Sequence, residues 1–537
     1  MTTLFVSNRK NLTKNIFNLK YSHWIGSVLV SGVILLLWEV LALTLFAKHH
    51  VVPTPVSVVL KIWQDHFYST DLQVTLSEAI LGWVIGNTLA VVLAGLSLLL
   101  PKLESLFLSF GVMTYAVPTV AIGPLLFIIE SPFDAKVTMS VLSVFFVTLA
   151  SAVAGFRAAS RTSLELISSF GGGKWAMLYK VRLRASIPSL VSGLSVSAPA
   201  AILGAMIGDY FGGQAGLGVV MLQAQQQLAV SRTWAVAVVA TVVSGIFYAL
   251  IVALAKVFGI GVAISTEADS VDPKDKKYPL PVSILFLVTK AIIGTILILL
   301  TWNLAVSLSG LSSFFVKTPI DIWNYLTLGS SAHLHQQVIL QNLSITLYHA
   351  GSGWILGTVA AITGAIALIL SPVLSKVIMP LILVLRSVPL VAMTPLIALI
   401  FGRGLVGVTM IAAMVTVVPS LVTISDGLKS SPGCALDVVS CAGGNHFQLL
   451  SKIRTMYALP ALFTAAKISM PGAILGAVLA EWLVTGNGIG HAMAYDVTGS
   501  NFSNLWSCVT AIVVVSLVLY YLVNTMEKTI RSHLSVQ

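Results

Sequence analysis

Residues 165–188 read Glu-Leu-Ile-Ser-Ser-Phe-Gly-Gly-Gly-Lys-Trp-Ala-Met-Leu-Tyr-Lys-Val-Arg-Leu-Arg-Ala-Ser-Ile-Pro, and residues 437–460 repeat their pattern. In both copies an acid precedes a glycine (Gly171, Gly443) by six residues, and a basic residue then leads to a proline that opens the next apolar segment. Glycine tolerates the positive φ of a helix break, so each copy predicts two short helices hinged at glycine. Polar connections in an apolar chain must lie outside lipid. The repeat therefore predicts a duplicated helical loop on the cytoplasmic side that can receive force from a soluble partner.

The composition of the chain identifies an integral membrane protein. Of 537 residues, 57% are hydrophobic and 9% charged, and the mean hydropathy is +0.95. Soluble domains carry about 25% charged residues. Apolar runs near 20 residues broken by glycine and proline predict an all-α bundle and not a β-barrel.

We predict about 12 transmembrane helices in two six-helix repeats. The predicted domains are a cytoplasmic segment 1–24, repeat one at 25–265, a polar linker at 266–281 and repeat two at 282–537. Residues 1–24 are basic and no small-residue cleavage site follows, which predicts an uncleaved anchor. The predicted spans are 25–47, 74–100, 104–129, 137–156, 189–211, 234–258, 282–308, 345–370, 377–400, 405–427, 461–483 and 504–524.

The two repeats align in register along most of their length. An offset of 271 pairs Thr75 with Thr346 and Gly86 with Gly357, and after one inserted residue an offset of 272 pairs Lys180 with Lys452. The same offsets align the glycine pairs Gly82/Gly86 and Gly353/Gly357, which predict faces for close helix packing. An even number of spans in each repeat gives both repeats the same orientation and brings both termini to the cytoplasm.

These residues resemble a known family. The Glu165–Pro188 and Asp437–Pro460 stretches are similar to the "EAA" loop of the permease subunits of binding-protein-dependent ATP-binding cassette importers, in the branch that handles nitrate, taurine and sulfonates. One departure concerns the Leu-Pro that the family has after the basic residue, where this chain has Leu183-Arg184 and Thr455-Met456. The resemblance implies a type I importer permease fold, a location in the cell (inner) membrane, and partners that include two ATP-binding subunits and an extracytoplasmic substrate-binding protein.

The loops supply the residues that we predict to couple the chain to an ATPase. Short apolar surfaces beside a glycine break suit the groove of a partner that closes and moves the spans above it. The alternative is that these residues pack against their own bundle. The predicted coupling residues are Glu165, Phe170, Gly171, Trp175, Asp437, Cys441, Gly443 and Phe447.

Polar groups and prolines within the third and fifth spans predict one central path for the transported solute. Charge at depth is costly and usually faces a cavity or a partner, so Arg386 either contacts an anionic cargo or pairs within the bundle. Asp209 and Glu481 end the fifth spans, where we expect gate or docking residues at the outer rim, the alternative being that they are ligands of the cargo. The predicted path residues are Tyr115, Pro118, Asp209, Arg386, Ser387, Pro389 and Glu481. Glu39 and His349 are expected to be structural polar groups.

The sequence predicts no catalysis and no cofactor in this chain. The nearest string to a phosphate-binding loop, at Gly173-Lys174, lacks the following Ser or Thr and the earlier glycine. ATP and Mg²⁺ are therefore expected on partner subunits. The net charge of +11 reflects cytoplasmic basic loops and not nucleic-acid binding. Three cysteines form no metal spacing, and we expect them to act as small apolar fillers.

Three classes of function remain in competition. The leading one is the fused permease of an ATP-driven importer for a small solute, an anion such as nitrate, bicarbonate or a sulfonate. The second is an ion-coupled secondary transporter, which also uses internal repeats, although the spans lack the chain of acids expected of a proton relay. A membrane-embedded enzyme is the third, and no nucleophile motif or acid–histidine cluster supports it.

Overall fold

The computed structural model describes residues 35–44, 52–65, 67–100, 131–259, 312–371 and 390–534, with isolated residues beside these ranges. Those ranges are helical with no strand, and eight of their helices are long and apolar enough to cross a membrane. The all-α membrane fold is thereby confirmed. Residues 1–24, the linker 266–281 and most of the predicted spans 104–129 and 282–308 lie outside the described residues.

The helices of the two halves follow one another in the same order. The described helices of the first half are α1 (Pro55–Gln64), α2 (Phe67–Leu99), α3 (Pro132–Arg157), α4 (Arg161–Ser169), α5 (Lys174–Met177), α6 (Leu183–Gly212), α7 (Leu217–Gln226) and α8 (Val230–Val257). Those of the second half are α9 (Pro319–Thr327), α10 (Ala332–Leu370), α11 (Leu390–Phe401), α12 (Leu405–Lys429), α13 (Gly433–Cys441), α14 (His446–Leu449), α15 (Thr455–Leu483), α16 (Ile489–Thr498) and α17 (Phe502–Leu534). In each half the fourth span (α3, α12) packs between the second (α2, α10) and the fifth (α6, α15).

Local sequence accounts for where several helices begin. Helix α3 starts at Ser131-Pro132, where the serine hydroxyl accepts a hydrogen bond from the Asp134 backbone N–H and proline occupies the first turn. Helix α9 starts in the same way with a reciprocal capping box between Thr318 and Asp321. Each cap gives a hydrogen-bond partner to a backbone N–H group in the first turn of its helix, where no partner within the helix exists.

The backbone itself repeats between the halves. Residues with positive φ recur at the offset of 272 found in the sequence: Gly171 with Gly443, Gly216 with Gly488, and Leu228 with Ser500. Leucine and serine adopt this conformation rarely, so the recurrence of the third pair reflects a shared chain path. The duplication inferred from residue identities is thus also present in the backbone.

The fifth spans differ from the sequence expectation at their start. Pro188 and Pro460 were expected to open them, but both lie inside α6 and α15. A π-helical turn, Leu178–Arg182 or Leu450–Arg454, joins each of these helices to the short helix before it. The second short helix of each loop is therefore continuous with the span, and no break occurs at the proline. The spans of α2 and α10 also begin earlier than expected, at Phe67 and Ala332.

The paired glycines occupy the helix contacts that the sequence predicts for them. A Cβ placed on Gly82 or Gly86 would collide with Ser140 or Val144 of α3, and a Cβ on Gly353 or Gly357 would collide with α12. Their absent side chains let the second and fourth spans approach closely in both halves. This confirms the predicted packing role.

Replacement of Gly86 by valine should destabilise the protein, because the new side chain overpacks the α2–α3 contact at a cost of about 1–3 kcal/mol. Gly95→Val in the same helix is the matched control, since a Cβ there meets nothing within 4 Å. Thermal melts of the purified protein should show a clearly lower melting temperature for Gly86→Val and little change for the control. Equal melting temperatures would contradict the close-contact assignment.

Candidate functional site

In each half, one exposed loop joins the fourth span to the fifth. We name these loop one (residues 157–184, first half) and loop two (residues 429–456, second half). In loop one, α4 ends where the Gly172 N–H donates to Ile167 O at 2.9 Å and the Gly171 N–H donates to Ser168 O at 2.9 Å. Loop two repeats both bonds from Gly444 and Gly443, at 2.8 and 3.0 Å. This is a Schellman end, which requires a left-handed residue. The predicted glycine hinge is present twice.

All eight predicted coupling residues lie on these loops, and all are exposed to solvent: Glu165, Phe170, Gly171, Trp175, Asp437, Cys441, Gly443 and Phe447. Phe170 exposes 82% of its surface, Trp175 70% and Phe447 66%. Large apolar side chains exposed beside a helix break are typical of a surface that another protein covers. The geometry of the two loops matches a docking surface for another protein.

Loop two is held firmly to the bundle by its basic end. The Arg454 guanidinium donates to Leu428 O at 3.2 Å, and the Thr455 hydroxyl donates to Leu450 O at 2.8 Å. Leu450 itself is buried. A loop anchored in this way moves together with its helix.

A buried polar cluster lies at the opposite end of the first half, which we call the distal end. Asp209 Oδ2 accepts from Thr75 Oγ1 at 2.7 Å and from the Gly218 N–H at 3.3 Å, and Lys136 Nζ lies 2.9 Å from Asp209 Oδ1. Lys136 Nζ also donates to Glu78 Oε1 at 2.9 Å, and the Leu217 N–H donates to Thr75 Oγ1 at 2.8 Å. These bonds fix the start of α7 against α2 and α6.

The second half builds the same cluster around Glu481, with a histidine in contact with the acid. Glu481 accepts from Thr346 Oγ1 at 2.7 Å and from the Gly490 N–H at 3.0 Å, and the Ile489 N–H donates to Thr346 Oγ1 at 2.8 Å. His349 Nδ1 lies 2.8 Å from Glu481 Oε1. At the repeat positions of Glu78 and Lys136 this half carries His349 and Gly407. One histidine therefore replaces an acid–lysine pair.

The structure places both predicted rim acids inside the protein. Asp209 is 1% exposed and Glu481 0% exposed, whereas a gate or docking residue at an outer rim needs contact with solvent. Each carboxylate instead holds the backbone of the next short helix. His349, expected to be a structural polar group, is a partner of Glu481. The signal in the sequence was the repeat register, which pairs Thr75, Glu78 and Asp209 with Thr346, His349 and Glu481.

Aromatic side chains next to the acids connect the two halves. The rings of Phe211 and Trp482 meet edge to face with centroids 5.5 Å apart, and Met139, Ile207 and Leu479 form a buried cluster beneath them. The distal ends of α6 and α15 are thus in contact. Trp482 directly follows Glu481 in the sequence, and residue types alone do not identify its contact with Phe211.

An ion pair that sequence analysis missed lies within the second half. Lys467 Nζ of α15 is 3.0 Å from Glu527 Oε2 of α17, and Thr464 Oγ1 donates to Glu527 Oε1 at 3.3 Å. The repeat positions in the first half are Ser195 and Ala255. The pair therefore distinguishes the halves. The available signal was a lysine inside the predicted span 461–483, whereas Glu527 lies beyond the end of the predicted span 504–524.

Several predicted path residues lie outside the described residues: Tyr115, Pro118, Arg386, Ser387 and Pro389. Their roles stay predictions. Among the described residues, no group of three or more His, Cys, Asp or Glu side chains could hold a metal ion. Cys508 is buried, as an apolar filler would be, but Cys434 and Cys441 are exposed.

The carboxyl group of Asp496 on α16 lies at the distal end, outside the helices that could span a membrane. It is 5% exposed, and Asn504 Nδ2 donates to its Oδ2 at 2.7 Å. Burial raises the pKa of Asp496 to about 6, and the bond from Asn504 offsets only part of the effect.

Comparison with known proteins assigns both halves to one family model. The model of the binding-protein-dependent transport system inner membrane component matches residues 86–262 and 353–535. A "Probable ABC transporter permease protein" of Haemophilus influenzae is 30% identical over 227 residues, covering 41% of this chain and 91% of the relative. A riboflavin transport system permease of Chloroflexus aurantiacus is 26% identical over 238 residues (43% of this chain, 85% of the relative). A taurine transport system permease of Escherichia coli is 25% identical over 200 residues (37% and 73%).

No solved structure matches the chain significantly. Each of the three relatives aligns with less than half of this chain and with most of its own length. One such relative therefore corresponds in size to one repeat.

The stability of the protein should fall as the pH rises from about 4 through about 6, because folding holds the Asp496 pKa above the unfolded value near 3.9. Below pH 4 the carboxyl is protonated in both states, and above pH 6 the folded state carries the cost of a buried charge, roughly 3 kcal/mol. Asp496→Asn removes this cost. The variant should melt close to the wild type at pH 4 and at a higher temperature at pH 7. A difference that does not change with pH would contradict the assignment.

Proposed function

The chain belongs to the family of binding-protein-dependent transport system inner membrane components, and from that premise we propose that ATP-binding subunits drive it through loops one and two. It is a multi-pass permease of an ATP-binding cassette importer for a small solute. In the proposal, one ATP-binding subunit binds under each loop and hydrolyses ATP with its own Mg²⁺, while an extracytoplasmic binding protein delivers the solute.

The observation that carries this proposal is the position of the two loops. They share one backbone geometry, present exposed apolar side chains and continue as single helices to the distal end. A partner that closes around the short helices would displace the attached spans as rigid bodies. Packing against the permease's own bundle would not expose Phe170, Trp175 and Phe447.

The solute path is proposed to run between the two halves. The contact of Phe211 with Trp482 supports a distal end that is closed in this conformation. Basic loops favour the cytoplasm, so loops one and two and both termini are assigned to that side. The distal end then faces the binding protein.

Co-purification provides the direct test of this function. The full chain, expressed with the products of its neighbouring genes, should retain an ATP-binding subunit with its own phosphate-binding loop, two copies per chain. Substituting Leu166→Asp together with Val438→Asp should remove that subunit and abolish ATP-dependent uptake in proteoliposomes, because both side chains are exposed apolar contacts on the loops. Leu328→Asp is the control, since Leu328 is equally exposed but lies at the distal end.

The opposite result would be solute transport by the purified chain alone on an ion gradient. That outcome would favour the secondary-transporter hypothesis and remove the ATP-driven one. If the double variant bound the subunit with wild-type affinity, that result would likewise contradict the assignment of loops one and two as the binding sites of the subunit.

We further propose a small anion, such as nitrate, bicarbonate or a sulfonate, as the cargo, with Arg386 as its main electrostatic contact. A relative named as a taurine permease supports an anionic group, while one named as a riboflavin permease shows that cargo varies within the family. Arg386→Gln should raise the solute concentration for half-maximal uptake by at least tenfold, because one charge-assisted hydrogen bond is worth about 1.5–3 kcal/mol. Unchanged uptake kinetics would remove Arg386 from the path.

A further inference from the structure

We propose that loop one is the dominant docking site for the ATP-binding partner and that loop two binds the equivalent subunit more weakly. The partner groove under loop one would be apolar with an acidic rim. This inference rests on the proposed function and deepens it, since it assigns unequal binding energies to two loops that the repeat makes equivalent in position.

The backbones of the two loops are alike, so their side chains can be compared position by position. Gly171 has φ 76° and Gly443 has φ 78°, and both loops pass through the same Schellman end and the same π-helical turn. At an offset of 272 each residue of loop one has one counterpart in loop two. Differences between the loops are therefore differences of side chain and not of chain path.

Loop one exposes three aromatic rings where loop two exposes one. Phe170, Trp175 and Tyr179 expose 82%, 70% and 73% of their surface. Their counterparts are Ala442, Phe447 and Ser451, all on the exposed face of loop two. Phe170 directly precedes the glycine break and lies near the midpoint of the segment that joins α3 to α6. Tryptophan and tyrosine are enriched among the few residues that dominate protein interfaces, so loop one carries the larger anchor.

The loops also differ in charge. Loop one contains six basic residues and one acid, whereas loop two contains three basic residues and one acid. The additional cations are Arg161, Lys174 and Arg184, all exposed, and their counterparts are Gly433, His446 and Met456. Orientation in the membrane does not require them, because loop two lies on the same side without them. They complement an acidic rim on a protein partner.

An anionic lipid surface is the competing occupant, since aromatic and basic residues also gather at membrane interfaces. The position of Phe170 at the break between two short helices favours a protein groove, as the glycine hinge lies outside the spans. The experiment distinguishes the two occupants by changing the lipid.

The decisive experiment measures the affinity of the purified ATP-binding subunit, identified by its phosphate-binding loop, for full-length permease in lipid nanodiscs. Trp175→Ala and Phe447→Ala are matched substitutions at one repeat position. Trp175→Ala should weaken binding at least tenfold and Phe447→Ala less than threefold. Phe170→Ala with Tyr179→Ser, which gives loop one the residues of loop two, should weaken binding further. Ala442→Phe with Ser451→Tyr in loop two should strengthen it.

Each other outcome has a defined meaning. Equal losses from Trp175→Ala and Phe447→Ala, in variants that melt like the wild type, would overturn the inference while leaving the proposed function intact. Losses seen only in nanodiscs that contain anionic phospholipid, and absent in neutral discs, would assign loop one to lipid and overturn the inference. A wild-type chain that binds no ATP-binding subunit would overturn the proposed function and the inference together.

Discussion

Each exposed loop continues into one helix that reaches the far end of the bundle, and the proposed coupling to an ATP-binding partner depends on this continuity. Lipid offers no hydrogen bonds to a broken backbone, so a span that must transmit movement is best made as one helix. Lys174–Gly212 and His446–Leu483 are continuous over 39 and 38 residues, roughly 57–59 Å at 1.5 Å per residue. In the proposed mechanism, movement of a loop would be transmitted along this one continuous helix to the position of the distal acids.

At the distal end of each fifth span (α6, α15), a buried acid accepts a hydrogen bond from the backbone of the following short helix. Thr75 and Thr346 connect the acids to the first N–H of the following short helices, and Gly216 and Gly488 leave no room for a Cβ beside the carboxylates. Burying a carboxylate is tolerable only when its oxygens are satisfied. This geometry is common to both halves, but the side chains beside each acid differ: Glu78 and Lys136 in the first half, His349 in the second. The repeat has preserved the backbone bonds and changed the ionisable side chains around them.

Composition and the repeat register sufficed to predict the membrane class, the glycine hinges, the close packing at Gly86 and Gly357 and the exposure of the loops. They failed where a side chain's direction decides its role. Because Asp209 and Glu481 end the fifth spans, they were expected at an exposed rim. A helix turns about 100° per residue, however, so neighbouring residues face different directions. Phe211 and Trp482 face the other half, and the acids do not. Pro188 and Pro460 looked like helix starts because proline suits a first turn. A π-helical turn that precedes each of them is not visible in residue types.

Fusion of two repeats in one chain makes this divergence possible. In a symmetric dimer of single repeats, any change in a loop or an acid cluster appears twice, so the two sides must stay equal. Here Lys136 has become Gly407, Ser195 corresponds to Lys467, and Phe170 corresponds to Ala442. Each difference is present on one side only. The two halves keep the same backbone bonds at their loops and at their distal acids, while their side chains differ, which is the condition that the proposed unequal docking of the partner requires. A fused permease can therefore assign different tasks to its halves without losing the two-lobed framework that both need.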